Sequence, residues 1–256
     1  MKDHTTYKVG GPADCFIEAF SVSSLRSALK WSEGQPVFII GNGSNLIVRD
    51  KGIRGAVIKP CFDQITHKGA TIHAQAGASI ENLIKYTIDH ELTGAEILTG
   101  IPATVGGAIC MNAGYMAWIS RLVKGVSVMD LRGKEWSISA EEARFGYRNS
   151  RFLEERLIVT GVSLELKHGD CSKDVRRLKE LRRLTQPIDL PSCGTVFKKN
   201  NLKTFQGLRL GDAEVRGSFI VNLGKATAEE IIGLIDEIQT RSGCKLELEA
   251  EIVGEE

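Results

Sequence analysis

A chain of 256 residues, 42% hydrophobic and 25% charged, reads as an ordinary globular protein large enough for two or three subdomains. Its net charge of +1 gives no excess that would mark a nucleic-acid or membrane partner, so an anionic ligand has to be held by a local cluster of groups. The opening MKDHTTYK is unlike a signal peptide, no stretch is as long as a membrane span, and the six scattered cysteines contain no CxxC pair. Together these point to a reduced cytoplasmic protein with no zinc or iron–sulfur site, its cysteines acting as small buried or half-buried hydrophobes.

The first sixty residues are expected to run β-α-β-β. Cys15 to Ala19 is a strand, Ser23 or Ser24 caps a helix to about Glu33 that Gly34 stops, and Pro36–Ile40 and Leu46–Val48 are strands, with Ala56 to Lys59 closing the unit. In the next unit Thr71 to Gln75 alternates as a strand, and Ser79 caps a helix to about His90 with Leu83, Ile84, Ile88 and Leu92 on one stripe. A glycine-rich segment from Gly94 to Gly114 follows. Val126–Leu131 and Glu135–Ile138 form a hairpin around Arg132-Gly133, Ser139 opens a short acidic helical turn, and Leu157–Leu166 is a long strand. From Lys173 a basic helix (KDVRRLKELRRL) leads to Pro187 and Pro191. Thr227 with Glu230 makes a capping box for a helix closed by Gly243, and Leu246 to Val253 alternates as a last strand, with Glu247, Glu249 and Glu251 on one face.

Two segments suggest ligand chemistry. Gly41-Asn42-Gly43-Ser44-Asn45 lies between two apolar strands, where glycines allow a tight turn whose N–H groups form an anion-binding nest. It is not the Rossmann fingerprint, since Leu46 takes the third glycine position and a strand follows. A plain glycine-rich hairpin turn explains it equally well. Gly100-Ile101-Pro102-Ala103-Thr104-Val105-Gly106-Gly107-Ala108, continuing to Asn112-Ala113-Gly114, is small and apolar. It could wall a flat aromatic cofactor and offer free N–H groups to a pyrophosphate, or it could be a tight helix-packing segment. Two separated glycine-rich loops favour a nucleotide cofactor.

Together these loops resemble the FAD-binding fold shared by vanillyl-alcohol oxidase and the UDP-N-acetylenolpyruvoylglucosamine reductase (MurB) family. The opening His4-Thr5-Thr6-Tyr7-Lys8-Val9-Gly10-Gly11-Pro12-Ala13 is similar to the MurB family's opening motif. Phe145-Gly146-Tyr147-Arg148-Asn149-Ser150 resembles its FxYRxS, and Gln186-Pro187 through Pro191-Ser192-Cys193-Gly194-Thr195-Val196-Phe197-Lys198 its QPxxxPSAGSxFKNP. Leu246-Glu247-Leu248-Glu249 resembles the family's L-E-x-E strand. The resemblance implies an α+β chain: a two-subdomain FAD-binding PCMH-type domain over 1–169 (subdomains about 1–59 and 60–169) and a small α+β substrate domain over 170–256.

It implies further that NADPH reduces bound FAD and leaves, and that UDP-N-acetylglucosamine enolpyruvate then takes hydride and becomes UDP-N-acetylmuramate for peptidoglycan, with no protein partner required. Arg148, Thr195 and Glu249 occupy the catalytic positions. Gly41, Asn42, Gly43, Ser44, Asn45, Gly100, Ile101, Pro102, Thr104, Gly106, Gly107, Asn112, Ala113 and Gly114 would hold FAD, and Tyr147, Lys198 and Lys199 the substrate. Without the resemblance, Arg148 would pass for a surface ion-pair partner and Glu249 for part of a charged strand face. The chain departs from the pattern at several points: Thr195 stands for a serine, Cys193 for an alanine, Lys199 for an asparagine, and the segment after 200 is cut down, with no histidine beyond His168. Two rivals stand beside this reading: a flavin oxidase of the wider fold, which would lack the combined Arg148, Thr195 and Glu249 pattern, and a non-catalytic relic that binds FAD or a nucleotide sugar, which the cut-down segment favours.

Overall fold

The computed structural model describes residues 1–198 and 202–256. Lys199 and the first two residues of the shortened segment Asn200 to Leu208 therefore lie outside the described residues. Contacts divide the chain into two units, Phe16–Gly41 with Val57–Arg182, and Met1–Cys15 with Asn42–Ala56 and Arg183–Glu256. The strands Ala13–Ala19 and Ile53–Pro60 each continue from one unit into the other.

The unit made of Phe16–Gly41 and Val57–Arg182 is built on a five-stranded antiparallel sheet in the order Ile65–Lys68, Thr71–Gln75, Ile158–Glu165, Val123–Met129, Glu135–Ser139. Period-two alternation sends Ile72, Ala74, Val126, Val128, Val162 and Leu164 into the core, where all are buried. The central strand slips register between Val159 and Gly161, leaving Thr160 bulged, and the freed Thr160 carbonyl accepts from the Ala76 amide at 3.1 Å. The helix Ile80–Asp89 is N-capped by Ser79, whose hydroxyl accepts from the Asn82 amide at 3.0 Å.

The first helix, Val22–Trp31, starts earlier than expected. Ser21, not Ser23 or Ser24, is its cap, because Ser21 forms a reciprocal pair with Ser24: the Ser21 hydroxyl accepts from the Ser24 amide at 3.0 Å, and the Ser24 hydroxyl accepts from the Ser21 amide at 2.9 Å. The segment opened by Ser139 is the expected single turn, the Ala143 amide donating to the Ser139 carbonyl at 3.1 Å and the Glu142 amide to the Ser139 hydroxyl at 3.2 Å.

The other unit packs the helix Ala228–Ser242 on a three-stranded antiparallel sheet, Arg209–Leu210, Ala213–Arg216 and Phe219–Asn222. The last two strands fall in the segment after residue 200 that reads from the sequence as cut down. Leu46–Val48 pairs in parallel with Glu251–Val253. The expected strand Leu246 to Val253 is thus only three residues long, because its first half spends its backbone on residues 196–198 through single bridges. Tyr7 is fully buried in this core; its hydroxyl donates to the Ile220 carbonyl at 2.7 Å, and Asn222 Nδ2 donates to the Tyr7 carbonyl at 3.1 Å. The cysteines are free, and Cys244 is exposed, contrary to the expectation of buried or half-buried thiols. Among the described residues no helix is long and apolar enough to cross a membrane.

The helix Ala228–Ser242 is fixed at its start twice over. Thr227 and Glu230 form the expected capping box, and the Asp50 carboxylate accepts from the amides of Ala228 at 3.0 Å and Glu229 at 2.9 Å. Replacing Asp50 with Ala leaves two helix-end donors to water, and the expected loss of stability is about 1–2 kcal/mol. Urea unfolding checks this, and an unchanged midpoint would show that Thr227 and solvent suffice.

Candidate functional site

In the unit of Phe16–Gly41 and Val57–Arg182, the glycine-rich segment is held against the end of the strand Thr71–Gln75. The amides of Val105 and Gly106 donate to the carbonyls of Ala78 at 2.7 Å and Ala76 at 2.9 Å. Thr104 N-caps the short helix Val105–Cys110, its hydroxyl accepting from the Gly107 amide at 3.2 Å, and the Ala108 amide donates to the Thr104 carbonyl at 2.8 Å. The amides of residues 105–108, expected to be free for a pyrophosphate, are therefore engaged within the protein. Backbone approach is nonetheless close where glycine was expected to permit it. A Cβ on Gly106 would lie 3.0 Å from that of Ala76, and a Cβ on Gly41 would lie 2.6 Å from Thr104 Oγ1. The structure thus brings Gly41, at the start of the first glycine-rich loop, against Thr104 of the second.

The next piece joins two motifs that are far apart in sequence. Phe145–Ser150 forms a tight turn closed by the Gly146 amide donating to the Asn149 carbonyl at 2.9 Å, with Arg148 in the left-handed region at φ +51°. A β-carbon-bearing residue there stores strain of about 1–3 kcal/mol and has to be held by its surroundings. The restraints come from Cys110 to Trp118. Asn112 Nδ2 donates to the Gly146 carbonyl at 2.9 Å, while its Oδ1 accepts from the Ser120 amide at 3.2 Å. Arg148 Nη2 donates to the Gly114 carbonyl at 3.2 Å, and the buried Ser150 hydroxyl donates to the Cys110 carbonyl at 2.7 Å. Trp118 meets Tyr147 edge-on with centroids 6.1 Å apart, and the Arg148 guanidinium lies 5.7 Å from the Tyr147 ring. Asn112, Ala113 and Gly114, read from the sequence as cofactor contacts, thus lie beside the Tyr147–Arg148 turn, and the Asn112 side chain faces that turn.

In the other unit Thr195 and Glu249 sit on neighbouring segments. The Val196 carbonyl accepts from the amides of Glu249 at 2.8 Å and Ala250 at 3.3 Å, and the Lys198 amide donates to the Glu247 carbonyl at 2.8 Å. Asn45 reaches the same place: its Nδ2 donates to the Glu249 carbonyl at 3.0 Å, and its own carbonyl accepts from Glu251 at 2.9 Å. Gly43, at φ +59°, is required for packing against this chain's own backbone, since a Cβ would lie 2.7 Å from the His4 carbonyl oxygen. Lys198 Nζ pairs with Glu247 at 2.5 Å. Cys193, two residues from Thr195, is buried, and burial pushes its thiol up to about 12, so it stays protonated and unreactive at neutral pH.

Sequence reasoning missed Ser150, Thr99 and Arg182. Thr99 is 3% exposed, and its Oγ1 and the Nε of Arg182 are buried without a hydrogen-bond partner among the described residues. No sequence signal separates Arg182 from the other charges of its helix.

Residues 13–139 match the family model of FAD binding domains, and residues 186–253 that of the UDP-N-acetylenolpyruvoylglucosamine reductase C-terminal domain. The UDP-N-acetylenolpyruvoylglucosamine reductases of Alkaliphilus oremlandii and Clostridium tetani are 41% and 37% identical over 100% of this chain, covering 92% and 91% of their own lengths. The alignment with the Alkaliphilus protein runs over 283 residues, longer than this chain, so that relative carries segments this one lacks. The crystal structure of UDP-N-acetylenolpyruvylglucosamine reductase from Thermus caldophilus matches with a TM-score of 0.86 at 35% identity, over 99% of this chain and 97% of that one. The expected α+β, vanillyl-alcohol oxidase and MurB type of fold is therefore the one found. With full-length relatives at this identity and both domain models matched in order, the chain belongs to the UDP-N-acetylenolpyruvoylglucosamine reductase family and is an FAD-dependent oxidoreductase.

Proposed function

We propose that this protein reduces UDP-N-acetylglucosamine enolpyruvate to UDP-N-acetylmuramate with NADPH, in the cytoplasm, as a step of peptidoglycan precursor synthesis. The observation that carries this is the pairing of the Thr195 and Glu249 segments through the Val196 carbonyl, in a chain whose full-length relatives bear that reductase's name. Residues 1–169 are proposed as the FAD-binding domain and 170–256 as the substrate domain.

The residues fit an FAD. Gly41 lies against Thr104, and the buried Thr99 hydroxyl and Arg182 Nε supply polar atoms that no described residue satisfies. The loops 41–45, 100–107 and 112–114 would hold the cofactor. When bound it supplies the hydride chemistry, drawn from NADPH. The chain's own residues have the other tasks. The planar Arg148 guanidinium, aimed by its strained turn, favours the negative charge that develops on the substrate's carboxylate side as its double bond is reduced. The Glu249 carboxylate, fixed by its paired backbone, orients the same group, and the Thr195 hydroxyl holds the proton that goes to the carbon adjacent to the one receiving hydride. Tyr147 and Lys198 are proposed as substrate contacts, and Lys199 as a further cation for the substrate's diphosphate.

The deciding experiment reduces the flavin anaerobically with NADPH and then adds the enolpyruvyl substrate at high concentration. Reoxidation with formation of UDP-N-acetylmuramate is expected, with a raised KM because segments of the relatives are absent. A reduced flavin that only oxygen reoxidises would favour an oxidase or a relic.

In Thr195→Ala, stopped-flow bleaching by NADPH should stay near normal while reoxidation by the enolpyruvyl substrate slows. Equal slowing of both halves would make Thr195 structural. Arg148→Lys should keep the flavin and lose about a hundredfold in turnover, since lysine keeps the charge but not the fork. Asn112→Ala, which frees the Gly146 carbonyl and loosens the Arg148 turn, should mimic it: flavin content unchanged, kcat reduced. Loss of flavin from Asn112→Ala would instead make that side chain a cofactor contact.

A further inference from the structure

Arg182 lies in the last turn of the basic helix Ser172–Thr185 and in the same unit as Gly100, and its surroundings are unusual for a structural arginine. The side chain lies across Gly100, which has φ +77°; a Cβ there would come within 2.9 Å of Arg182 Cδ and 3.0 Å of its Nε, so glycine is what admits it. Nη1 reaches the Thr99 carbonyl only at 3.4 Å, Nε is buried without a partner among the described residues, and the guanidinium faces the Tyr115 ring at 5.3 Å. Burial lowers its affinity for its proton, with Tyr115 the one opposing influence. A partly buried guanidinium whose Nε is shielded from water with so few acceptors is unfavourable for the fold, and a methionine would fill the same space without that cost. The buried hydroxyl of the adjacent Thr99 likewise has no hydrogen-bond partner among the described residues.

A second observation concerns charge. The segments 41–45 and 94–114 contain no lysine or arginine, only the acidic Glu96, and the amides of residues 105–108 are engaged in the protein. A dinucleotide with a doubly charged diphosphate therefore finds no cation in the loops that should hold it. We propose that Arg182, from outside the matched FAD-binding domain of residues 13–139, binds the diphosphate of FAD, with the Thr99 hydroxyl as a second donor beside it. The planar fork suits two phosphate oxygens at once. The assignment rests on the flavin reading and is independent of which substrate reoxidises the flavin.

The test is titration of the apoprotein with FAD and with riboflavin, followed by flavin fluorescence, for wild type, Arg182→Gln and Arg182→Met. Both variants should bind FAD about ten- to a hundredfold more weakly, with a shallower salt dependence, and bind riboflavin as wild type does. Arg182→Met apoprotein should melt no lower than wild type, which separates lost binding from misfolding. FAD affinity within about twofold of wild type overturns the proposal. So does an equal loss for riboflavin, which would put the guanidinium at the flavin ring, or full FAD content with only the KM for the enolpyruvyl substrate raised. So does a lowered melting temperature in both variants with loss of every ligand. Wild-type protein that takes up no FAD would instead overturn the cofactor assignment itself.

Discussion

Apart from the short helix Val105–Cys110, the candidate functional segments of this protein have little regular secondary structure, so most of their backbone polar groups have to find their own partners. A buried carbonyl or amide left unpaired costs on the order of 1–3 kcal/mol, and neither a helix nor a sheet ladder is available here to prevent it. Asn112 shows how the requirement is met. One carboxamide donates to Gly146 and accepts from Ser120, and so serves two irregular stretches at once. With Ser150 on Cys110 and Arg148 on Gly114, it makes the turn 145–150 and the loop 110–118 a single body. The strained backbone of Arg148 survives because that body over-determines it.

The same rule operates in the other unit with fewer side chains. The carbonyl of Val196 takes two amides, from Glu249 and Ala250, and Asn45 fastens the following strand from the far side. The segments that carry Thr195 and Glu249 are tied together by the backbones beneath them, through the Val196 carbonyl. The ion pair of Lys198 with Glu247 is half exposed and adds little by itself; the backbone bridge beneath it does the positioning.

What could be read in advance followed the range of the interactions. The Ser79 cap, the Thr227–Glu230 box and the strands Thr71–Gln75 and Leu46–Val48 depend on residues within a few positions of each other, and their sequences show them. The start of the first helix was misplaced because three serines compete and only reciprocal bonding selects Ser21. The last strand was read too long because alternation cannot reveal that residues 246–250 pair with a distant loop. Glycine spacing located the loops, yet not which amides the protein itself consumes. Arg182 was indistinguishable from its neighbours because its distinction is a buried Nε with no acceptor among the described residues.

The unit that carries Thr195 and Glu249 is assembled from three stretches, of which two lie within the first 56 residues and one begins at residue 183. Tyr7 meets its acceptor Ile220 across 213 positions. On a ribosome the opening stretch therefore waits, its apolar residues without their core, until most of the chain has emerged, whereas the long run from Val57 to Arg182 already holds a sheet that can close. Contacts of such separation are entropically slow to form, and the waiting segments are the ones open to misassociation. The order of synthesis thus makes the unit that carries Thr195 and Glu249 the last to be completed, and a nascent chain halted before its final quarter would have neither Thr195 nor the strand Glu251–Val253 that follows Glu249.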